Sequence, residues 1–137
     1  LVLSQNQKNN QDGFLTLKEI ENLNLNGSFI NLSACQTARG EMYVLEGVDG
    51  FVQSFFNAGA QSVLSTLWPI EDNSAQIFME EYYTNYSFYN DIGKSLSITK
   101  QKFLDGEFGD NYKNPIFWSP YIYFYRKKIL EIIHLLE

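Results

Sequence analysis

Phe29-Ile30-Asn31-Leu32-Ser33-Ala34-Cys35-Gln36-Thr37 is the stretch on which the reading of this chain turns. Four largely apolar residues give way to small and polar ones, the pattern of a short buried strand that runs out at its carboxyl end. The thiol of Cys35 then falls at a strand's carboxyl edge, where open parallel sheets gather their functional groups. Asn26-Gly27 supplies a turn signal just upstream, and the polar, glycine-bearing residues 36–47 read as a loop just downstream.

Moving outward, Val48, Phe51, Val52, Phe55 and Phe56 recur at helical spacing, and Gly59 ends that helix. Residues 61–68 are rich in Val, Leu and Thr and read as a second buried strand that Pro69 closes. Helices follow over about 73–86, carrying Ile77, Met79, Tyr82 and Tyr83, and over 92–104, carrying Leu96, Ile98 and Phe103. A last strand is expected over 116–125, ahead of a basic-to-apolar, helical tail at 126–137. Toward the amino end, Thr16 and Glu19 form a capping box that opens a short helix with Ile20 and Leu23 on one face. Asp12-Gly13 marks a turn before it, and Leu1-Val2-Leu3-Ser4 reads as a strand already under way, so the chain is expected to be cut from a longer protein. Strands alternating with helices predict an α/β fold with a mostly parallel sheet covered on both faces.

Composition narrows the function classes. Ten Lys and Arg against sixteen Asp and Glu give a net charge of −6, which disfavours a nucleic-acid reader because phosphate neutralisation needs clustered cations. Arg126-Lys127-Lys128 is too short a basic run to change that. The apolar runs fall short of a bilayer span, so no membrane partner is expected. A single cysteine cannot form an intrachain disulfide, and a reducing, cytoplasmic setting is the expectation. Cys35 therefore matters as chemistry or as core.

The residues around Cys35 then meet a known pattern. Ser33-Ala34-Cys35-Gln36-Thr37, Glu46-Gly47-Val48 with Phe51, Phe55-Phe56-Asn57-Ala58-Gly59-Ala60 and Ser65-Thr66-Leu67-Trp68-Pro69-Ile70-Glu71-Asp72 resemble, in order and spacing, the CHAT domain (caspase HetF-associated with tetratricopeptide repeats). Asp12-Gly13-Phe14-Leu15-Thr16 with Glu19-Ile20 resembles the segment before the nucleophile strand, and Phe117-Trp118-Ser119-Pro120-Tyr121 the closing strand. The resemblance implies a three-layer αβα caspase-like fold over residues 1–125, incomplete because its first strands and a histidine-bearing segment lie upstream of Leu1. It also implies a Cys-His dyad that hydrolyses peptide bonds in a protein substrate, and tetratricopeptide or other recognition modules upstream. The family's histidine precedes a glycine in that upstream segment; His134, near the carboxyl end, matches no motif position.

Within that resemblance Cys35 is the nucleophile. A free thiol with a pKa near 8.5 is only about 3% thiolate at neutral pH. An imidazole within hydrogen-bond reach supplies the proton acceptor, and backbone N–H groups after Cys35 can stabilise the oxyanion. The alternative for Cys35 is a small hydrophobe at the end of a core strand. Asp72 follows a Leu-Trp-x-x-x-Asp element like that of separases, where the matching acid helps hold a basic P1 side chain. It is equally suited to cap the next helix. Trp68 lines the cleft or completes the core, and Glu46 orders the active-site loop or stands as a loop-end charge.

Rival functions have less sequence behind them. Residues 8–19 imitate a calcium loop, with Asn10, Asp12, Gly13 and Glu19 at ligand-like spacing, but Lys8 stands at the first ligand position, where a cation repels calcium. No metal and no cofactor is expected. A nucleotide-binding glycine loop or a phospho-acceptor site is not seen. The serious competitor is a catalytically inactive caspase-like module used for protein interaction or signalling.

Overall fold

Threonine at position 16 starts the first helix as the sequence requires. In the computed structural model, which describes residues 15–32 and 44–126, Glu19 N donates to Thr16 Oγ1 at 3.3 Å and Thr16 N to Glu19 Oε2 at 2.8 Å, closing the capping box. Helix α1, Leu17–Glu21, stops at an Asn22 cap rather than running on to Asn26-Gly27. Strand β1, Phe29–Leu32, follows, then helix α2, Val44–Asn57, and strand β2, Ser62–Thr66. Helix α2 begins four residues before Val48, so residues 44–47, read as loop, are helical. At its far end Gly59 has φ of 100°, and a side chain there would collide with Asn26, because Leu25 and Gly27 pair with the carbonyls of Ala58 and Gly59.

The second half is a helical hairpin, α3 (Asp72–Tyr89) and α4 (Ile92–Asp105). Asn90 turns the chain in the left-handed conformation, and the Asp91 side chain caps α4 by accepting from Lys94 N at 2.7 Å. Lys102 reaches Glu81 at 2.8 Å and the buried Asn85 amide donates to Thr99 Oγ1 at 3.0 Å, so charge and polar contacts clamp the two helices.

The closing strand departs from expectation at its start. Pro115–Phe117 form a 3-10 turn, with Asn114 Oδ1 accepting from Ile116 N, and β3 spans only Tyr121–Tyr125. Strand order is β1-β2-β3: β1 and β2 run parallel with Leu32 opposite Ser65, and β2 and β3 run antiparallel with Thr66 opposite Tyr121. The described sheet is thus mixed rather than mostly parallel. Two helices, not one, separate β2 from β3, and the second undoes the return of the first, so the chain re-enters the sheet reversed.

Alternating side chains serve two cores. Val63 packs with Ile20, Val52 and Phe55 beneath α1 and α2, joined by Ile30, Leu32 and Phe124. Its neighbour Leu64 points the other way, to Phe78, Tyr82, Leu96, Phe103 and Tyr121 beneath α3 and α4. Helices therefore cover both faces of a mixed α/β sheet.

Candidate functional site

Parallel pairing brings β1 and β2 to the same edge of the sheet, and the antiparallel β3 begins at that edge. From Leu32 the chain runs on toward Cys35, which lies outside the described residues. From Thr66 it runs through Leu67, Trp68, Pro69, Ile70 and Glu71 into α3. Helix α2 is the crossover between the parallel strands, so its first turn, which holds Glu46, starts from this edge and its end returns to the start of β2. Glu46 is thus the third residue of a helix, not a loop end.

The exit from β2 is braced by a segment far away in sequence. Leu67 N donates to Pro120 O at 3.0 Å. The indole N–H of Trp68 donates to the Ile116 carbonyl at 3.2 Å, and within the bracing segment the indole N–H of Trp118 donates to the Lys113 carbonyl at 3.1 Å. Asn73 Nδ2 donates to the Tyr112 hydroxyl at 2.6 Å. Ile70 is buried and anchors the middle of the exit, while the Trp68 ring stays 36% exposed. The tryptophan is therefore held by its polar end with an open apolar face, and neither pure core nor a loose surface ring describes it.

Two carboxylates follow it. Glu71, not Asp72, caps α3: its Oε2 accepts from Ser74 N at 3.2 Å, and Ser74 Oγ returns a bond to Glu71 O at 2.9 Å. Asp72 is the first helical residue, exposed, with no ion pair to another described residue. The capping alternative for Asp72 is thus taken by its neighbour. The bracing segment carries its own ion pair, Lys113 with Asp110 at 2.8 Å; their hydrogen bond raises the ammonium pKa and lowers that of the carboxyl.

Sequence reasoning missed the residues that shape this edge from β3's side. Lys100 Nζ donates to the carbonyls of Tyr121, at 2.7 Å, and Ser119, at 3.3 Å, tying α4 to the start of β3, and burial pushes its pKa down. A lone lysine on a helix reads as a solvated charge, and nothing local marks it otherwise. Asn31 is legible as polar within β1, yet its contact with Tyr83, 52 positions on, is not. Among the described residues no group of three or more His, Cys, Asp or Glu is arranged to hold a metal ion, and no helix is long and apolar enough to cross a membrane.

Together these elements bring a half-exposed indole and a carboxylate with no ion pair among the described residues to the exit of β2, at the edge where β1 also ends. Over 84 residues, 61% of its length, the chain is 31% identical to Tetratricopeptide repeat protein 28 of Mus musculus, and the match spans 3% of that much longer protein. No solved structure matches. Residues 1–126, nearly the whole chain and including the strand that leads to Cys35 and the exit that carries Trp68 and Asp72, match the CHAT domain family model, and the chain belongs to that family.

Proposed function

We propose that this chain is the nucleophile-bearing part of a caspase-like cysteine peptidase whose three-layer fold and Cys-His dyad are completed by a segment preceding Leu1. Cys35 Sγ attacks the scissile carbonyl while the imidazole takes its proton; the amine leaves with a proton from the imidazolium, and water then hydrolyses the thioester. Backbone N–H groups following Cys35 stabilise the oxyanion. Asp72 and Trp68 receive the substrate side chain preceding the scissile bond, the carboxylate favouring Arg or Lys. Tetratricopeptide or other recognition modules in the same polypeptide select the protein substrate, in keeping with the similarity to a tetratricopeptide repeat protein.

The observation that carries this reading is family membership over residues 1–126 joined to the register of β1 on β2. Leu32 lies opposite Ser65, and three peptide units, about 11 Å at full extension, separate Leu32 from Cys35. What supports the reading is that β1, which Cys35 follows in sequence, ends at the same sheet edge as the strand from which the chain runs to Trp68 and Asp72. Helices on both faces of the sheet agree with the layered fold.

The test is cleavage of a proteome-derived peptide library by the full-length protein, read by mass spectrometry. Cys35→Ala is expected to abolish cleavage with an unchanged circular dichroism spectrum, and cleavage at the wild-type rate removes the peptidase reading. Asp72→Asn is expected to depress cleavage after Arg and Lys at least tenfold more than after other residues; a uniform loss removes the role given to Asp72.

A further inference from the structure

The turn between α3 and α4 and the far end of β3 border an open cavity of about 390 Å³ with mostly apolar walls. Three tyrosines line it, Tyr86 from α3 and Tyr123 and Tyr125 from β3, together with Asp91, Ile92 and Gly93 at the start of α4. Tyr123 and Tyr125, two apart on one strand, share a face and stack at 5.8 Å with 21° between their planes. Tyr86 lies almost parallel to the fully buried Tyr82, at 6.3 Å and 12°. Packing thus fixes these rings before any ligand arrives, and Tyr125 remains 63% exposed.

Charge decides what such a cavity takes. The amino terminus of α4 on its own would favour an anion. Asp91, however, caps that helix by accepting from Lys94 N at 2.7 Å, so the chain's own carboxylate already holds the place that an anionic ligand would want. That carboxylate has no ion pair among the described residues, and the neighbouring Lys94 ammonium lies instead over the Tyr89 ring, 4.1 Å from its centroid. A carboxylate beside ring faces, which carry the negative part of the aromatic quadrupole, attracts a cation. A primary ammonium brings three N–H donors that need acceptors, and mostly apolar walls supply few. Methylation replaces those donors with apolar surface that packs on rings and keeps the charge. Gly93 leaves the room: a β-carbon there meets Asp91 Oδ1 at 3.7 Å and the Tyr123 ring at 4.0 Å, so a larger side chain would grow between the carboxylate and the ring.

We infer that Tyr86, Tyr123, Tyr125 and Asp91 form a binding site for a methylated ammonium group, carried on a trimethylated lysine side chain or on a choline-type head. The rings pack on the methyl groups, and the Asp91 carboxylate balances the charge. The site sits where Tyr125 pairs with Ser62, whereas the exit of β2 toward Trp68 lies where Thr66 pairs with Tyr121. It is therefore separate from the site proposed for peptide cleavage and stands or falls apart from it.

Fluorescence anisotropy of a labelled Gly-Ser peptide carrying one trimethyl-lysine tests this, with the full-length protein in a Cys35→Ala background so that no cleavage intervenes. Saturable binding is expected, at least fivefold tighter than for the same peptide with unmodified lysine. Displacement by choline at the peptide's own affinity assigns the site to a free head group, and displacement by unlabelled peptide alone assigns it to a modified protein; both keep the site. Tyr125→Ala, at an exposed ring, should weaken binding at least tenfold and Tyr125→Phe less than threefold. Asp91→Asn keeps a capping side chain and should weaken binding at least fivefold. Gly93→Leu fills the cavity and should abolish binding with an unchanged circular dichroism spectrum. Equal affinity for the methylated and unmodified peptides, no saturable binding, displacement by inorganic phosphate, or full binding by Tyr125→Ala overturns the proposal.

Discussion

Tyr82 and Asn31 place polar atoms where packing supplies no partner. The Tyr82 ring is fully buried between α3 and the sheet, and among the described residues neither its hydroxyl nor Asn31 Oδ1 finds a hydrogen bond, although Asn31 Nδ2 donates to the Tyr83 hydroxyl at 2.7 Å. An orphaned buried hydroxyl costs about 1–3 kcal/mol in lost solvation. Burial also raises the Tyr82 pKa far above the usual value near 10, since the phenolate is the form that burial penalises. A tyrosine whose folded pKa is raised contributes stability that is intact below pH 10 and is lost as pH climbs above it, because the unfolded chain ionises first. Tyr82→Phe is therefore expected to leave stability at neutral pH unchanged or higher by up to about 1 kcal/mol, and to flatten the alkaline loss. Urea unfolding at pH 7 and at pH 10.5 measures both; a fall of more than about 1 kcal/mol at pH 7 would reveal a partner for the hydroxyl. The sequence places Tyr82 on the apolar face of a helix and is right about its burial. It treats Tyr83 alike, yet Tyr83 is exposed and serves as the acceptor for Asn31.

Helix ends are where local sequence speaks most clearly and where it still misleads by a residue. The Thr16 and Glu19 box is legible because both partners lie within one turn. At α3 two acids compete for one cap, and Glu71 holds it because Ile70, buried beside it, fixes where the helix begins. Glu71→Ala should cost about 1 kcal/mol, whereas Asp72→Asn should change stability by no more than about 0.5 kcal/mol. Thermal and urea unfolding of the two variants separates the cap from its neighbour and leaves any effect of Asp72→Asn on cleavage free of a folding explanation. The closing strand fails for the same local reason in reverse. Ile116-Phe117 looks like the start of a strand by apolarity, but Asn114-Pro115 ahead of it is a turn initiator, and the 3-10 turn that results spends those residues on bracing Trp68.

At the scale of the molecule, β2 is the hinge of the design, with Val63 and Leu64 each filling a different core. Phe78 is the plug on the α3 and α4 side: its ring stacks on Tyr121 at 3.6 Å and leans on Phe103 at 5.3 Å, joining α3, α4 and β3 at one point. Phe78→Ala is expected to cost about 3–5 kcal/mol, read as a drop in the urea midpoint; a loss below about 1 kcal/mol would mean that this core does not hold the two halves together. The sequence by itself determined the order of the described strands and helices, the capping box, the short strand at Phe29–Leu32 and the family resemblance, because these depend on residues a few positions apart. The tertiary structure alone decided that β3 enters antiparallel, that Glu71 rather than Asp72 caps α3, and that Trp68 hangs from Ile116. Those outcomes depend on which distant segments share a sheet edge, and burial and backbone hydrogen bonding settle that only when the whole chain packs.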